Sequence, residues 1–305
     1  MFESLSEFTF GKHYRQSTVW PEAHGFEIRR GRVGVLLLHA YFGTPWEMRP
    51  LAEYLAALGV SVVCPRITGH GSMPEDIYHI SATAWLDDAQ AAYHRLESFT
   101  DVQVIIGHCI GARLGLALIL KRGIKPTGVI TVSIPVLPAA EKPFLPGILK
   151  WIPKWLIPQS LPIFGIANLI PMRRFEIRLH STTPWLCYKQ YRPTNAYEVG
   201  FELRREVFNK LPAIHCPILF VHAKHDHLYS LKHARHGYSA VTSTDKDIYV
   251  VDAMTHLLLT NVKKAGPLFR RIYRFIQHCN ALPSQAAPIP DVLHPIEPQA
   301  MASMT

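Results

Sequence analysis

The sequence predicts an α/β protein: a mostly parallel sheet flanked by helices, with a helical cap inserted between two of the strands. Short apolar segments, typical of strands buried on both faces, alternate with segments of helical length and spacing. One strand turns directly into a buried helix through a short segment that begins and ends with glycine. A proline-rich apolar stretch separates the first part of this alternating pattern from the second.

Strands and helices are predicted in regular alternation on both sides of that stretch. The first 30 residues are weakly patterned and are expected to supply an edge strand. Further strands are expected at residues 34–38, 60–65, 102–106, 128–134, 216–221 and 247–252, and helices at residues 46–58, 83–99, 112–120, 231–241 and 262–279. Gly59 is positioned to end the first helix, and Thr83 to cap the N-terminus of the second.

Residues 135–210 break this alternation and are predicted to form a cap. Prolines recur through residues 135–171 among tryptophans, phenylalanines and aliphatic residues, so this part is too apolar for a solvated linker. Residues 172–210 are more charged and have helical character. The alternative is that the prolines only shape loops packed on the core. The predicted domains are residues 1–134 and 211–280 for the core, 135–210 for the cap or lid, and 281–305 for a disordered tail rich in proline, alanine and serine.

The turn after the strand at residues 102–106 has the residues of a nucleophile elbow. It reads Gly107-His108-Cys109-Ile110-Gly111, or G-x-C-x-G. A side chain at the tip of such a tight turn requires residues without a Cβ two positions before and after it, so that strand and helix can approach. The next N–H, of Ile110, lies at the helix N-terminus and can receive an oxyanion. Cys109 is therefore the candidate nucleophile, although most free cysteines are simply small buried apolar residues.

A nucleophile of this kind needs a base and a group that orients the base. The expected chain order in this architecture is nucleophile, acid, histidine. Asp226 follows a buried strand and His256 follows the last strand, so both would lie at the carboxyl edge of the sheet with Cys109. Asp252, within the last strand, is the alternative acid. The alternative histidines flank Asp226 and are His222, His225 and His227.

The composition is that of a globular protein with a basic surface. The 305-residue chain is 48% apolar and 18% charged, with a formal net charge of +9. Such a surface favours acidic partners, for example acyl-CoA, an acyl carrier protein or an anionic membrane. Candidates for docking a carrier in the predicted cap are Arg173, Arg174 and Arg178. Nucleic acid is not an expected partner, because the basic residues are scattered and form no zinc finger or aromatic-basic repeat.

Cysteine usage and hydropathy bear on the compartment. Five cysteines at wide spacing, without a C-x-x-C pair, suit a reducing compartment and predict neither disulfides nor a metal site. No secretory leader and no uninterrupted apolar stretch of about twenty residues is visible. We therefore expect a cytoplasmic protein without a cofactor, with peripheral membrane contact through the cap as an option.

The stretch that begins in the first central strand resembles a known family. It reads LLLHAYFGTPWEMRPLAEYLAALGVSVVCPRITGHG, similar to L-L-L-H-G-F-x-G-T-P-x-E-M-R-P-L-A-E and P-R-x-x-G-H-G of monoacylglycerol lipases and small bacterial carboxylesterases in the α/β-hydrolase superfamily. The resemblance covers residues 33–277 and implies that fold, with an inserted lid. It also implies that the N–H groups of Tyr41 and Ile110 form the oxyanion hole, supported by His39 and the turn at residues 69–71.

Two residues depart from the family pattern. Ala40 stands where the family has glycine after the histidine, which would narrow or reshape the oxyanion hole. Cys109 stands in the position of the usual serine. Dienelactone hydrolases and polyhydroxyalkanoate synthases share G-x-C-x-G, but the former lack a comparable cap and the latter are usually longer. A serine-to-cysteine replacement made to trap an acyl-enzyme would give the same sequence.

A cysteine at this position changes the expected chemistry. The helix N-terminus and a nearby imidazolium lower a thiol pKa, so we expect a thiolate–imidazolium pair of Cys109 and His256. The first hypothesis is a cysteine-nucleophile acyl hydrolase (esterase, lipase or thioesterase) for a lipophilic substrate, in which Asp226 orients His256. Because a thioester stays activated, the alternative is an acyltransferase, cyclase or condensing enzyme with an acceptor other than water. A binding protein that has lost turnover is disfavoured by the complete triad.

Overall fold

The computed structural model has a seven-stranded sheet at the centre of the part of the chain that it describes. The described residues are 19, 21–41, 43–72, 76, 80–137, 160–162, 191–260 and 262–280. The strands within these ranges are β1 (Phe26–Ile28), β2 (Val33–Leu38), β3 (Ser61–Cys64), β4 (Val102–His108), β5 (Gly128–Val132), β6 (Ser160–Pro162), β7 (Tyr191–Pro193), β8 (Ile218–Ala223) and β9 (Lys246–Val251). Strands β6 and β7 form a separate antiparallel ribbon.

The strand order in the main sheet is β1-β3-β2-β4-β5-β8-β9. Every neighbouring pair is parallel except β1 with β3. The carboxyl ends of β2, β4, β5, β8 and β9 therefore meet at one edge of the sheet, where open α/β sheets place their sites. The predictions of a mostly parallel sheet and of an edge strand within the first 30 residues are confirmed.

Helices cover both faces of this sheet. Those described are α1 (Arg49–Ala57), α2 (Ala82–Glu97), α3 (Ile110–Arg122), α4 (Thr194–Phe208), α5 (Lys232–Ala240) and α6 (Val262–Asn280). Alternate residues of β2 point to opposite faces. Leu36 and Leu38 pack in the core under α2, α3, α4 and α5, whereas Val35 and Leu37 pack in the core under α1 and α6. The sheet thus carries two hydrophobic cores, one on each face.

Helix α2 begins earlier than the sequence predicts. Its N-cap is Ser81 and not Thr83, and the Ser81 Oγ accepts a hydrogen bond from the Ala84 N–H at 3.1 Å. Ser81 has extended backbone angles, which let a hydroxyl reach back to the first helical turn. The prediction for Gly59 is confirmed, because it follows α1 with a positive φ of 83° that favours glycine.

Most of the predicted cap, and the predicted tail at residues 281–305, lie outside the described residues. The described parts of the cap are residues 135–137, the ribbon of β6 and β7, and the segment from α4 to residue 210. Helix α4 packs against α3. The Arg113 guanidinium of α3 donates to the carbonyls of Pro135 and Gly200, two residues within the predicted cap segment.

The turn from β4 to α3 is as crowded as the sequence predicts. A Cβ on Gly107 would lie 2.3 Å from the Gly111 carbonyl oxygen, and a Cβ on Gly111 would lie 2.2 Å from the Leu38 carbonyl oxygen. These neighbours are backbone atoms, which cannot rotate away as a side chain can. Glycine at both positions therefore lets α3 approach the ends of β2 and β4.

We expect Gly111→Ala to destabilise the protein by about 3 kcal/mol or more, the upper range for overpacking a core. The new methyl group would meet the Leu38 carbonyl. Gly200→Ala is the matched control, because it also adds one methyl group to a helix but its nearest neighbour would be 3.9 Å away. The measurement is the urea midpoint of unfolding by circular dichroism. Equal midpoints for the two variants would contradict the crowding argument.

Candidate active site

Cys109 lies at the tip of the turn between β4 and α3. Its backbone angles are φ 54° and ψ −115°, a conformation that residues other than glycine rarely adopt. Its N–H donates to the Val132 carbonyl at 2.8 Å, and its carbonyl accepts from the Ala112 N–H at 3.1 Å. Strain of this kind concentrates at functional sites. The predicted strand–turn–helix geometry is confirmed, with the thiol at its apex and only 6% of the residue exposed.

Asp226 and His256 meet at the carboxyl ends of β8 and β9. The Nδ1 of His256 donates to Oδ2 of Asp226 at 2.7 Å, and both side chains are buried. The other carboxylate oxygen accepts the N–H groups of Leu228 and Tyr229. Burial would raise the pKa of the Asp226 carboxyl, but these hydrogen bonds and the interaction with His256 outweigh burial and hold the pKa well below its usual range. Asp226 is therefore an ionised acceptor that orients the His256 ring.

The alternatives to this pair occupy other positions. The exposed ones are Asp252 and His225. The Nε2 of His222 lies 3.8 Å from Oδ2 of Asp226 and donates instead to a backbone carbonyl at 2.9 Å. His227 contacts another backbone carbonyl, at 3.3 Å. The structure thus brings His256, and not these histidines, to the short hydrogen bond with the acid.

The loop after β2 lies against the first turn of α3. The space in front of Gly111 is filled by the carbonyls of the last residue of β2 and of His39. Tyr41 follows in this loop, and its ring packs edge-on against Trp85 at a centroid distance of 5.9 Å. Ile110 begins α3, and its N–H faces the thiol of the preceding residue. The oxyanion hole formed by the N–H groups of Tyr41 and Ile110 stays a prediction.

His39 and His70 are buried behind that loop. The Nδ1 of His39 donates to the Ala40 carbonyl at 3.0 Å, and its Nε2 accepts from the Ile67 N–H at 3.1 Å. The rings of His39 and His70 are 5.0 Å apart. Burial lowers the pKa of both imidazoles, so both are neutral at neutral pH. They connect the loops after β2 and β3 from within the protein.

The surroundings of Cys109 favour the neutral thiol. Burial raises its pKa to about 12, and the Arg113 charge and the Ile110 N–H offset only part of this effect. The carboxylates of Asp226 and Glu47 raise the pKa further. These surroundings disfavour the expected thiolate–imidazolium pair of Cys109 and His256, which stays a prediction. A neutral thiol would lose its proton during a reaction and not before it.

Three buried charged or titratable side chains beside the site were not predicted: Glu47, His108 and Arg113. Arg113 interrupts an otherwise apolar helix in the sequence, and a charge at such a position is the signal that could have revealed it. Glu47 and His108 lie within the motifs already singled out, but their partners are distant in sequence. Their contacts are described below.

Metal ligation and disulfide formation would both involve the cysteines, histidines and carboxylates of the described residues. Within the described ranges, no group of three or more His, Cys, Asp or Glu side chains is arranged to hold a metal ion. The cysteines in the described part of the chain are free, namely Cys64, Cys109, Cys216 and Cys279. No helix in these same ranges is both long and apolar enough to cross a membrane.

Comparison with known proteins decides the family. The model of the serine aminopeptidase S33 family of hydrolases matches residues 30–263, which is most of the chain. The chain belongs to this family. It is a hydrolase, and the resemblance to the α/β-hydrolase superfamily is confirmed.

Two relatives align with this chain over nearly the whole of their own length. A thermostable monoacylglycerol lipase of Bacillus sp. (strain H-257) is 26% identical over 264 residues, which cover 86% of this chain and 98% of the relative. A carboxylesterase of Bacillus subtilis (strain 168) is 24% identical over 257 residues, covering 83% and 95%. A solved structure from a pair of metagenome-derived lipolytic enzymes superposes with a TM-score of 0.68 at 24% identity, covering 86% of this chain and 100% of that one.

The pH dependence of Cys109 alkylation tests the neutral thiol. With a pKa of about 12, the rate of reaction with iodoacetamide should rise about tenfold per pH unit from about pH 6 to pH 9, because only the thiolate reacts. The measurement is the modified fraction of the Cys109 peptide by mass spectrometry. N-acetylcysteine in the same buffers is the control, and its rate should level off above about pH 8.5. A rate for Cys109 that is constant around pH 7 would restore the thiolate–imidazolium pair.

Proposed function

We propose that the chain is a cysteine-dependent acyl hydrolase acting on lipophilic esters or thioesters. The observation that carries this proposal is Cys109 at the strained tip of the elbow, at the same sheet edge as the hydrogen-bonded pair of Asp226 and His256. Their proximity is supported by the ring of His108, the residue before Cys109, which lies 5.1 Å from the His256 ring. The substrate class is taken from the lipase and carboxylesterase relatives.

The first half of the reaction transfers the acyl group to sulfur. The sulfur of Cys109 attacks the acyl carbonyl carbon while the thiol proton passes to Nε2 of His256, since the thiol is neutral before attack. Asp226, ionised and buried, stabilises the imidazolium that forms. The N–H groups of Tyr41 and Ile110 receive the oxyanion. The intermediate then expels the alcohol or thiol, which takes the proton from His256 and leaves a thioester on Cys109.

The second half releases the acid. His256 removes a proton from a water molecule, the water oxygen attacks the thioester carbonyl, and the Cys109 thiolate leaves and regains its proton from the imidazolium. Because a thioester stays reactive toward alcohols, thiols and amines, a second candidate function is acyl transfer to such an acceptor. Acyl transfer is a candidate because the residue at the apex is cysteine and not serine.

The predicted partners and location remain proposals that rest on the sequence. The net charge of +9 supports docking of acyl-CoA or an acyl carrier protein. The arginines named for that docking, and most of the cap through which a membrane would be met, lie outside the described residues. A cytoplasmic location is supported by the wide spacing of the cysteines.

Incubation with an activated medium-chain acyl ester should add one acyl mass to the Cys109 peptide. Cys109→Ala should lose this adduct and about 10³-fold or more in hydrolysis rate, because the covalent route is closed. Cys216→Ala is the matched control: this half-buried cysteine precedes β8, at the sheet edge opposite the site. The measurements are peptide mass spectrometry and initial rates. An adduct on another residue, or normal turnover by Cys109→Ala, would overturn the proposal.

Product analysis separates hydrolysis from transfer. If water is the acceptor, the only acyl product in the presence of glycerol, coenzyme A or a primary amine is the free acid. This outcome is expected for the hydrolase. Chromatography coupled to mass spectrometry detects both products, and a dominant acylated acceptor would favour the transferase.

A further inference from the structure

We infer that Glu47 and His108 form a buried ion pair that positions the loop after β2 and the His256 main chain around Cys109. Neither side chain is proposed to contact the substrate or the Cys109 sulfur, so both are positioning residues. Its effect on turnover rests on the proposed function. Its charge state does not, and can be tested separately.

His108 is bound at both ring nitrogens to acceptors. Its Nε2 lies 3.0 Å from the backbone carbonyl oxygen of His256, and its Nδ1 lies 3.2 Å from Oε1 of Glu47. A carbonyl oxygen only accepts, so Nε2 must carry a proton, and an ionised carboxylate requires a proton on Nδ1 as well. His108 is completely buried. The geometry therefore favours an imidazolium inside the protein, paired with a carboxylate.

Glu47 connects this ion pair to the loop after β2. Its Oε1 also accepts the Ala40 N–H at 2.5 Å. An oxygen that receives two N–H donors is best supplied by an ionised carboxylate. The loop closes over the same group, since a Cβ on Gly43 would lie 2.3 Å from the other carboxylate oxygen. Glu47 thus holds the residue directly before Tyr41, whose N–H is proposed for the oxyanion hole.

The opposite end of the pair holds the main chain of the base. The His256 carbonyl accepts from His108, from the Leu258 N–H at 3.1 Å and from the Ser133 hydroxyl at 3.4 Å. Asp226 binds the ring of the same residue. His256 is therefore held at two separated points, and one of them is the ion pair. The ion pair therefore connects three segments that are distant in sequence: the loop after β2, the elbow and the loop after β9.

The electrostatics support the charged form of both members. Burial alone would raise the pKa of Glu47 and lower that of His108, in favour of neutral side chains. The hydrogen bond and the charge that each provides to the other outweigh burial, so the pKa of Glu47 is lowered and that of His108 is raised. Asp226 also faces His108, and its negative charge raises the pKa of His108 further.

Nitrogen NMR of protein labelled with ¹⁵N-histidine tests the charge state. At about pH 8, where a free histidine is neutral, His108 should show protons on both ring nitrogens. The resonance is assigned by its loss in His108→Gln. Glu47→Gln preserves an oxygen acceptor without charge, and it should convert His108 to a singly protonated ring at this pH. A singly protonated His108 in the unmodified chain would overturn the ion pair, whatever the outcome of the acylation experiments.

Steady-state kinetics test the positioning role. Glu47→Leu and His108→Leu should each lower kcat about 100-fold, the cost of misplacing reacting groups by about 1 Å, and KM should change less than about threefold. Glu47→Gln should recover part of kcat, because it can still accept the Ala40 N–H. The double variant should lose no more than the worse single variant, since either removal breaks the same pair. Losses that multiply, or a rise in KM with kcat unchanged, would overturn the proposal.

The matched control is Glu97→Gln, which breaks an exposed pair in α2. There Nδ1 of His94 lies 3.0 Å from the Glu97 carboxylate, and both side chains are about half exposed. This variant should keep kcat within about twofold, because exposed pairs contribute little. Melting curves of all variants show whether each is folded at the assay temperature. If a Leu variant is unfolded, the Glu47→Gln variant provides the test. A folded Glu47→Gln variant with unchanged kcat and a doubly protonated His108 would overturn the proposal.

Discussion

The site depends on how closely α3 approaches the ends of β2 and β4. Only hydrogen atoms fit between the backbone at Gly107 and Gly111 and the atoms opposite them. This approach forces Cys109 into a positive φ and presents its thiol at the apex of the turn. It also brings the loop after β2 against the first residue of α3. The same steric constraint thus determines where the thiol lies and where the proposed oxyanion donors lie.

Burial disfavours the charged form of every titratable group around this turn, but the outcomes differ. The thiol of Cys109 is driven toward its neutral form, because the Arg113 charge and the Ile110 N–H offset only part of its desolvation. Asp226, equally sheltered, stays ionised because several donors converge on it. The difference lies in the number and quality of hydrogen bonds to the charged form. A base that takes the proton during attack suits this arrangement better than a preformed ion pair with the thiol.

Much of the fold was predictable because periodicity and glycine positions reflect local packing. The buried strands, the helices between them and the elbow follow from runs of apolar residues and from the spacing of Gly107 and Gly111. The predicted N-cap of α2 was wrong by two residues, because Ser81 and Thr83 are both acceptable caps and only the backbone path selects one. The chemistry of the candidate site followed from order along the chain, which placed Asp226 and His256 at one edge.

The sequence by itself determined the sheet, the glycine-lined turn and which residue types could act together, since these depend on neighbours close in the chain. Only the tertiary structure decided the buried surroundings that disfavour a charged Cys109, and the joining of Glu47, His108 and the His256 carbonyl. Both depend on desolvation and on contacts between segments separated by up to about two hundred residues. Such contacts leave no periodic trace in a single chain, because the free energy of a buried charge is set by what surrounds it in space.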